Sequence, residues 1–172
     1  INISKDGEIT VPIVKRKYHP FEDYWSLPIS VINERDTVND SASQCIRDSL
    51  GIKKKIDFVH YKTFDNLNRS SYGRMIAFGL IGIHFGENIH MSAGGLASEI
   101  KLLKINEYMP MVFDHNQIMS EALEYIYRIH NSFAYMEELI PENLPQKFTS
   151  KLLKEIIKFK AKDEKLKRKQ GL

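Results

Sequence analysis

The order of segments along this 172-residue chain predicts an α+β sandwich followed by a small helical appendage. Strand-like runs rich in aliphatic and aromatic residues fill most of the first 105 positions. One capped helical segment interrupts them, and beyond Pro110 the pattern turns helical. Strands, a helix, strands and then helices imply a sandwich of helices on a sheet, with a small helical unit appended.

Each element has its own signal. INIS and ITVPIVKRK flank Asp6-Gly7, a hairpin turn of the Asp-Gly kind. Pro12 lies inside the second run and marks an edge position or a bulge, because it cannot donate to a ladder. Tyr18–Tyr24 reads as a loop leading to Trp25. Thr37 caps a helix with Asp40 three residues on, the helix runs to Leu50, and Gly51 supplies a left-handed stop. Ile56–Thr63 and Arg74–Phe85 read as strands around the polar loop Asp65–Tyr72. MIAFGLIGIHF, within the second, is nearly continuously apolar, as a strand covered on both faces would be. Gly86–Ala97 is a loop and Glu99–Ile105 another strand. Asp114 caps a helix whose stripe is Ile118, Ala122, Ile126 and Ile129. Tyr135–Gln146 is a connector. A second helix after Thr149 buries Leu152, Leu153, Ile156 and Ile157, and AKDEKLKRKQGL forms a short basic helix ended by Gly171.

Composition sets the outer limits. A hydrophobic content of 42% with 27% charged residues fits a soluble globular protein. No apolar run approaches the length of a membrane span, so no membrane partner is expected. The single cysteine excludes an internal disulfide and fits a reducing, cytoplasmic setting. An opening Ile, with no signal-like segment, reads as starting part-way into a longer chain. The net charge of +3 hides a split: nine of the 25 basic residues but three of the 22 acidic ones lie in 151–172, leaving 16 against 19 in the body. A mildly acidic body with a basic tail suits contact with a polyanion such as duplex DNA, or is simply a solvated end. Lys160, Lys162, Lys165, Lys167, Arg168 and Lys169, within ten residues, are the candidate DNA contacts.

The chemistry concentrates in Trp25–Ile52. Residues 45, 48 and 49 are spaced i, i+3, i+4 and share a helix face. Three carboxylates there would suit magnesium bridging to phosphates. The chain instead offers Cys45, Asp48 and Ser49, so the formal charge of such a face falls from −3 to −1. A neutral thiol is a soft, poor magnesium ligand. Asp36 can add a second carboxylate if its loop folds back. The segment resembles a Nudix box in spacing: Ser30 stands for the opening glycine, Asp36 for the next glutamate, Gln44-Cys45-Ile46-Arg47-Asp48-Ser49 for the Arg-Glu and Glu-Glu core, and Gly51-Ile52 closes it.

The likeness extends over about residues 8–150. KRKYHPFEDYWSLP, FDNLNRSSYGRMIAFGLI, MVFDHNQIMSEAL and LIPENLPQKFT resemble, in order, segments of the Nudix-related transcriptional regulators, in which a Nudix-like sensor precedes a winged helix-turn-helix. Arg69, Gly73 and Arg74 keep that family's pattern, while Ser70 and Ser71 replace its acidic and Pro positions. The resemblance implies an α/β/α sandwich with a mixed sheet over residues 1–132. A linker and partial winged-helix unit would span 133–172, too short for a complete wing after Phe148. It also implies homodimerisation, DNA binding, and an ADP-ribose-like or sugar-derived effector; the residues that could hold such a ligand are Arg16, Arg69 and Arg74 as cations and Tyr72 as a stacking face. Lys15 could add a cation, and Tyr18 or Phe21 a stacking face. Three readings follow: a catalytically degenerate sensor that needs no cofactor; a Nudix hydrolase of a nucleoside diphosphate derivative using Asp36 and Asp48 with magnesium; or a protein-interaction pseudoenzyme. Cys45 reads as inert and His115 as a hydrogen-bonding residue at a helix start.

Overall fold

A computed structural model describes residues 1–70, 73–87, 89–131 and 139–170. The hairpin signal at Asp6-Gly7 is realised. β1 (Asn2–Ser4) pairs antiparallel with β2 (Ile9–Arg16), with Ile3 opposite Ile9, and Gly7 takes φ 81° in the turn. β2 is the spine of a five-stranded sheet. Its ends pair on one side with β1 and with β3 (Trp25–Ser26), and its length pairs on the other with β7 (Ala97–Lys104). Pro12 sits where β2 has neither β1 nor β3 beside it, opposite Leu102 of β7, so its missing donor breaks no ladder there. The register shift in β2 falls later, between Lys15 and Arg16.

The expected single strand 74–85 is two strands in two sheets. β5 (Ala77–Ile81) pairs with β4 (Val59–Phe64) in a separate two-stranded sheet, whereas β6 (His84–Gly86) runs parallel to β1. The break falls at Gly82, where Ile56 and Phe58 pack so closely that a Cβ would lie 2.7 Å from Ile56. The parallel β1–β6 pair among antiparallel ones makes the main sheet mixed.

Alternation along β2 sends Ile9, Val11 and Ile13 to one face and Val14 to the other. On the Val14 side lies α1 (Val38–Leu50), contributing Ile46 and Leu50. The opposite side is covered by α2 (His115–Asn131) and α3 (Gln146–Gln170). The result is an α/β/α sandwich.

Both late helices bury half of the expected stripe, Ile126 and Ile129 on one and Leu152 and Ile156 on the other, and fill the rest with other residues. α2 buries Met119, Leu123, Ile126 and Ile129, leaving Ile118 and Ala122 half-buried on the flank. α3 buries Phe148, Leu152, Ile156 and Phe159, while Ile157 is exposed. Two adjacent apolar pairs, Leu152-Leu153 and Ile156-Ile157, leave the stripe's centre ambiguous in the sequence; Phe148 and Phe159 fix it. α3 begins before Thr149 and continues unbroken through the basic segment, so no separate short helix forms there. The expected connector falls partly outside the described residues, as do Tyr72 and Gly171. Among the described residues no helix is long and apolar enough to cross a membrane.

Candidate functional site

α1 forms as its sequence asks. Thr37 Oγ1 accepts from Asp40 N at 3.1 Å while Asp40 Oδ2 accepts from Thr37 N at 3.1 Å, a complete capping box. Gly51 ends the helix at φ 68°. Between these caps, Ser41, Cys45 and Ser49 recur every fourth residue and all turn inward; Cys45 is 7% and Ser49 4% exposed. Burial pushes the Cys45 thiol up to about 11, against a hydrogen bond from Ser49 that pulls the other way, so it is neutral near pH 7. Asp48 points to solvent instead. It accepts from Gln44 Nε2 at 2.6 Å, and Gln44 Oε1 accepts from Arg47 at 2.7 Å. Asp36 accepts from Asn33 at 2.7 Å within its own loop. A Cβ on Gly94 would lie 2.6 Å from the Asp48 carbonyl, so the 92–95 loop closes tightly on the end of α1.

Magnesium does not fit this donor set. It favours several hard, charged oxygens. The face offers a buried neutral thiol, a buried hydroxyl and one carboxylate already held by an amide. Among the described residues no three His, Cys, Asp or Glu side chains gather where they could hold a metal ion.

A second cluster lies where the 17–24 loop meets the start of α2. Phe113 holds φ 57°, and in the facing loop Phe21 and Asp23 hold φ 60° and 64°, left-handed conformations that cost a bulky residue energy. The Phe21 and Phe113 rings meet edge to face at 4.9 Å. The Arg16 guanidinium lies 5.3 Å from the Phe113 ring and donates from Nε to the Pro20 carbonyl at 2.7 Å. The next residue, Asp114, accepts two hydrogen bonds from Arg69, both 2.9 Å, with side-chain exposures of 9% for Arg69 and 14% for Asp114. Then comes His115, whose Nδ1 accepts from Leu27 N at 3.0 Å. Burial lowers its pKa to about 4, opposed by the Asp114 charge and reinforced by Arg69 and Arg16. Its hydrogen bond ties the start of α2 to the segment after β3.

Two of the four sequence-predicted effector residues, Arg16 and Arg69, thus converge on consecutive residues, Phe113 and Asp114. Arg74 donates to the Asp65 carbonyl within the same loop as Arg69. Tyr72 lies outside the described residues. The Asp114 carboxylate is taken by Arg69 rather than by the helix it precedes. Lys15 is ion-paired to Glu99 at 3.6 Å, and Tyr18 is exposed beneath the Lys17 ammonium. Sequence reasoning missed Phe113, because a left-handed Phe has no compositional signal of the kind Gly or Asn gives.

The basic candidates are dispersed around α3. Lys160 pairs with Glu124 at 2.6 Å and lies 4.4 Å from the Tyr127 ring, and Lys162 donates to the Asn106 carbonyl at 2.8 Å. Lys165 and Arg168 are exposed; the side chains of Lys167 and Lys169 lie outside the described residues.

No protein-family model matches the sequence. An ADP-ribose pyrophosphatase of Methanocaldococcus jannaschii is 24% identical over 123 residues, 72% of this chain and 70% of that one. The NUDIX domain of Shewanella oneidensis NrtR, solved as a complex with ADP ribose, superposes with a TM-score of 0.62 at 20% identity over 72% of this chain and 82% of that one. The fold is a Nudix fold. The longer NrtR structure gives a TM-score of 0.58 at 19% identity and covers 97% of this chain and 82% of its own. NrtR has also been solved in complex with a 27mer DNA; there the TM-score is 0.50 at 19% identity, over 74% of this chain and 61% of that one. α1 carries the segment that resembles the box in spacing, and its inward face holds Cys45 and Ser49.

Proposed function

We propose that this chain is the effector-binding, non-hydrolysing Nudix-like domain of a DNA-binding transcriptional regulator that works as a homodimer. The observation that carries the reading is the α1 face. Where a diphosphate-cleaving site needs carboxylates, it presents a neutral buried thiol and a buried hydroxyl. The effector is an ADP-ribose-like nucleotide sugar or a related sugar derivative. Arg16 and Arg74 contact it, with the strained Phe21–Phe113 pair offering an aromatic edge for the base. Because Arg69 is already matched to Asp114, Arg16 and Arg74 carry the anion contacts and Arg69 fixes the corner. Likeness to NrtR along nearly the whole chain supports the regulator role, and the basic helix α3 is our choice for the DNA contact.

Calorimetry with ADP-ribose tests the reading. Binding in excess EDTA should match binding in magnesium within about threefold, and Arg16→Ala or Arg74→Ala should weaken it about tenfold, one charge-assisted hydrogen bond. Binding that appears only with magnesium would favour a second reading, a Nudix hydrolase using Asp36 and Asp48, which the likeness to an ADP-ribose pyrophosphatase supports. No binding under either condition would favour a protein-interaction pseudoenzyme.

A further inference from the structure

Charge on α3 is sorted by face. Lys147, Lys151, Lys154, Lys158 and Lys165 recur at i, i+4, i+7, i+11 and i+18, one stripe of a 3.6-residue helix, and all five are exposed. The three acids of the helix lie off it. Glu155 is bonded to Asn106 and Lys158 beside the core, Asp163 accepts from Ser120 on α2, and Glu164 is on the far flank. Among the described residues only Lys158 of the five has an ion-pair partner, Glu155 at 2.7 Å. The buried Phe148, Leu152, Ile156 and Phe159 anchor the opposite face to the core, so the stretch from Lys147 to Lys158 is carried on a packed helix.

We propose that this lysine stripe is a backbone-tracking surface for duplex DNA. The proposal rests on the DNA-binding reading above and relocates the contact from the terminal Lys/Arg cluster to the body of the helix. At 1.5 Å per residue the five ammoniums span about 27 Å, facing a polymer with one phosphate charge per ~1.7 Å of axis. The stripe holds no aromatic residue on which single-stranded bases could stack and no apolar anchor for a protein partner. Apart from the exposed Ile157, the helix's large apolar side chains are turned to the core, so it presents no broad apolar face to a lipid surface. Lysine alone along the stripe gives position without base readout, so affinity should vary little with sequence. Lys160 and Lys162, held by Glu124 and Asn106, are not free to join it.

The test uses the full chain, a mixed-sequence duplex of about 30 base pairs, and fluorescence anisotropy across a salt series. Three triple variants each remove three charges: Lys147→Gln/Lys151→Gln/Lys154→Gln on the stripe, Lys167→Gln/Arg168→Gln/Lys169→Gln at the terminus, and Lys53→Gln/Lys101→Gln/Lys104→Gln on the body. The stripe variant should bind at least about tenfold more weakly, with a log–log salt slope shallower by about 2–3, near 0.9 for each phosphate no longer neutralised. The terminal variant should be weakened less, and the body variant should stay within about threefold. Replacing the three stripe lysines by arginine should retain binding. A terminal or body variant weakened as much as the stripe variant, or a preference for single strands, would overturn the stripe while leaving DNA binding standing. Failure of the unaltered chain to bind duplex at low salt would overturn the DNA-binding reading itself.

Discussion

His115 shows how much one side chain's setting decides. Its ring is 3% exposed and accepts a backbone hydrogen bond, so the folded chain favours the neutral imidazole and the pKa falls to about 4. The unfolded chain, with an ordinary histidine pKa of about 6.5, binds the extra proton first. His115 therefore stabilises the fold fully above about pH 6.5, and that contribution is lost as pH falls towards 4. Urea unfolding should show a loss of about 2 kcal/mol between pH 7 and 5 that His115→Asn largely removes, because an amide can accept the same bond without titrating. An equal loss in both proteins would assign the pH dependence to other groups. The sequence marks Asp114 and His115 as a helix start, but their partners, Arg69 and Leu27, are 45 and 88 residues away, and single-sequence reasoning has no handle on such pairs.

At the level of elements, legibility follows local physics. α1 is readable to the residue because its start, a capping box, and its stop, a left-handed glycine, are both written locally. Gly51→Ala should destabilise the fold by about 1–2 kcal/mol, from strain at φ 68° and from a Cβ that would collide with Ser92 Oγ. A midpoint in denaturant unchanged from the parent would show that the turn relaxes freely. The 74–85 run reads as one strand because a continuously apolar segment has no period to place a break in, and the crossing between sheets depends on residues 56 and 58 pressing on Gly82. On α1, the spacing of 45, 48 and 49 is legible; that 45 and 49 turn inward while 48 does not depends on what the sheet and the 92–95 loop leave room for.

Across the whole molecule, one core joins the sheet to both late helices, with Ile3, Ile13, Leu103, Leu123, Ile126, Leu152 and Ile156 in the same cluster. The basic composition of 151–172 suggests an appended unit, yet its apolar face lies inside that cluster. Removing residues 146–172 would strip four buried large side chains from it, each stabilising by about 1.5–3 kcal/mol, a sum comparable to a domain's entire net stability. The shortened chain should lose its cooperative thermal transition. A cooperative melt within a few degrees of the full chain would instead mark the C-terminal segment as independent.

A Nudix fold that binds ADP-ribose without cutting it should release no product when the full chain is incubated with the nucleotide and magnesium or manganese at millimolar levels. With Asp48 the only carboxylate among positions 45, 48 and 49, and Cys45 and Ser49 buried, release of AMP should not exceed the protein-free background. Turnover on the order of 1 s⁻¹, within the ordinary enzymatic range, that disappears in Asp48→Ala would contradict the account.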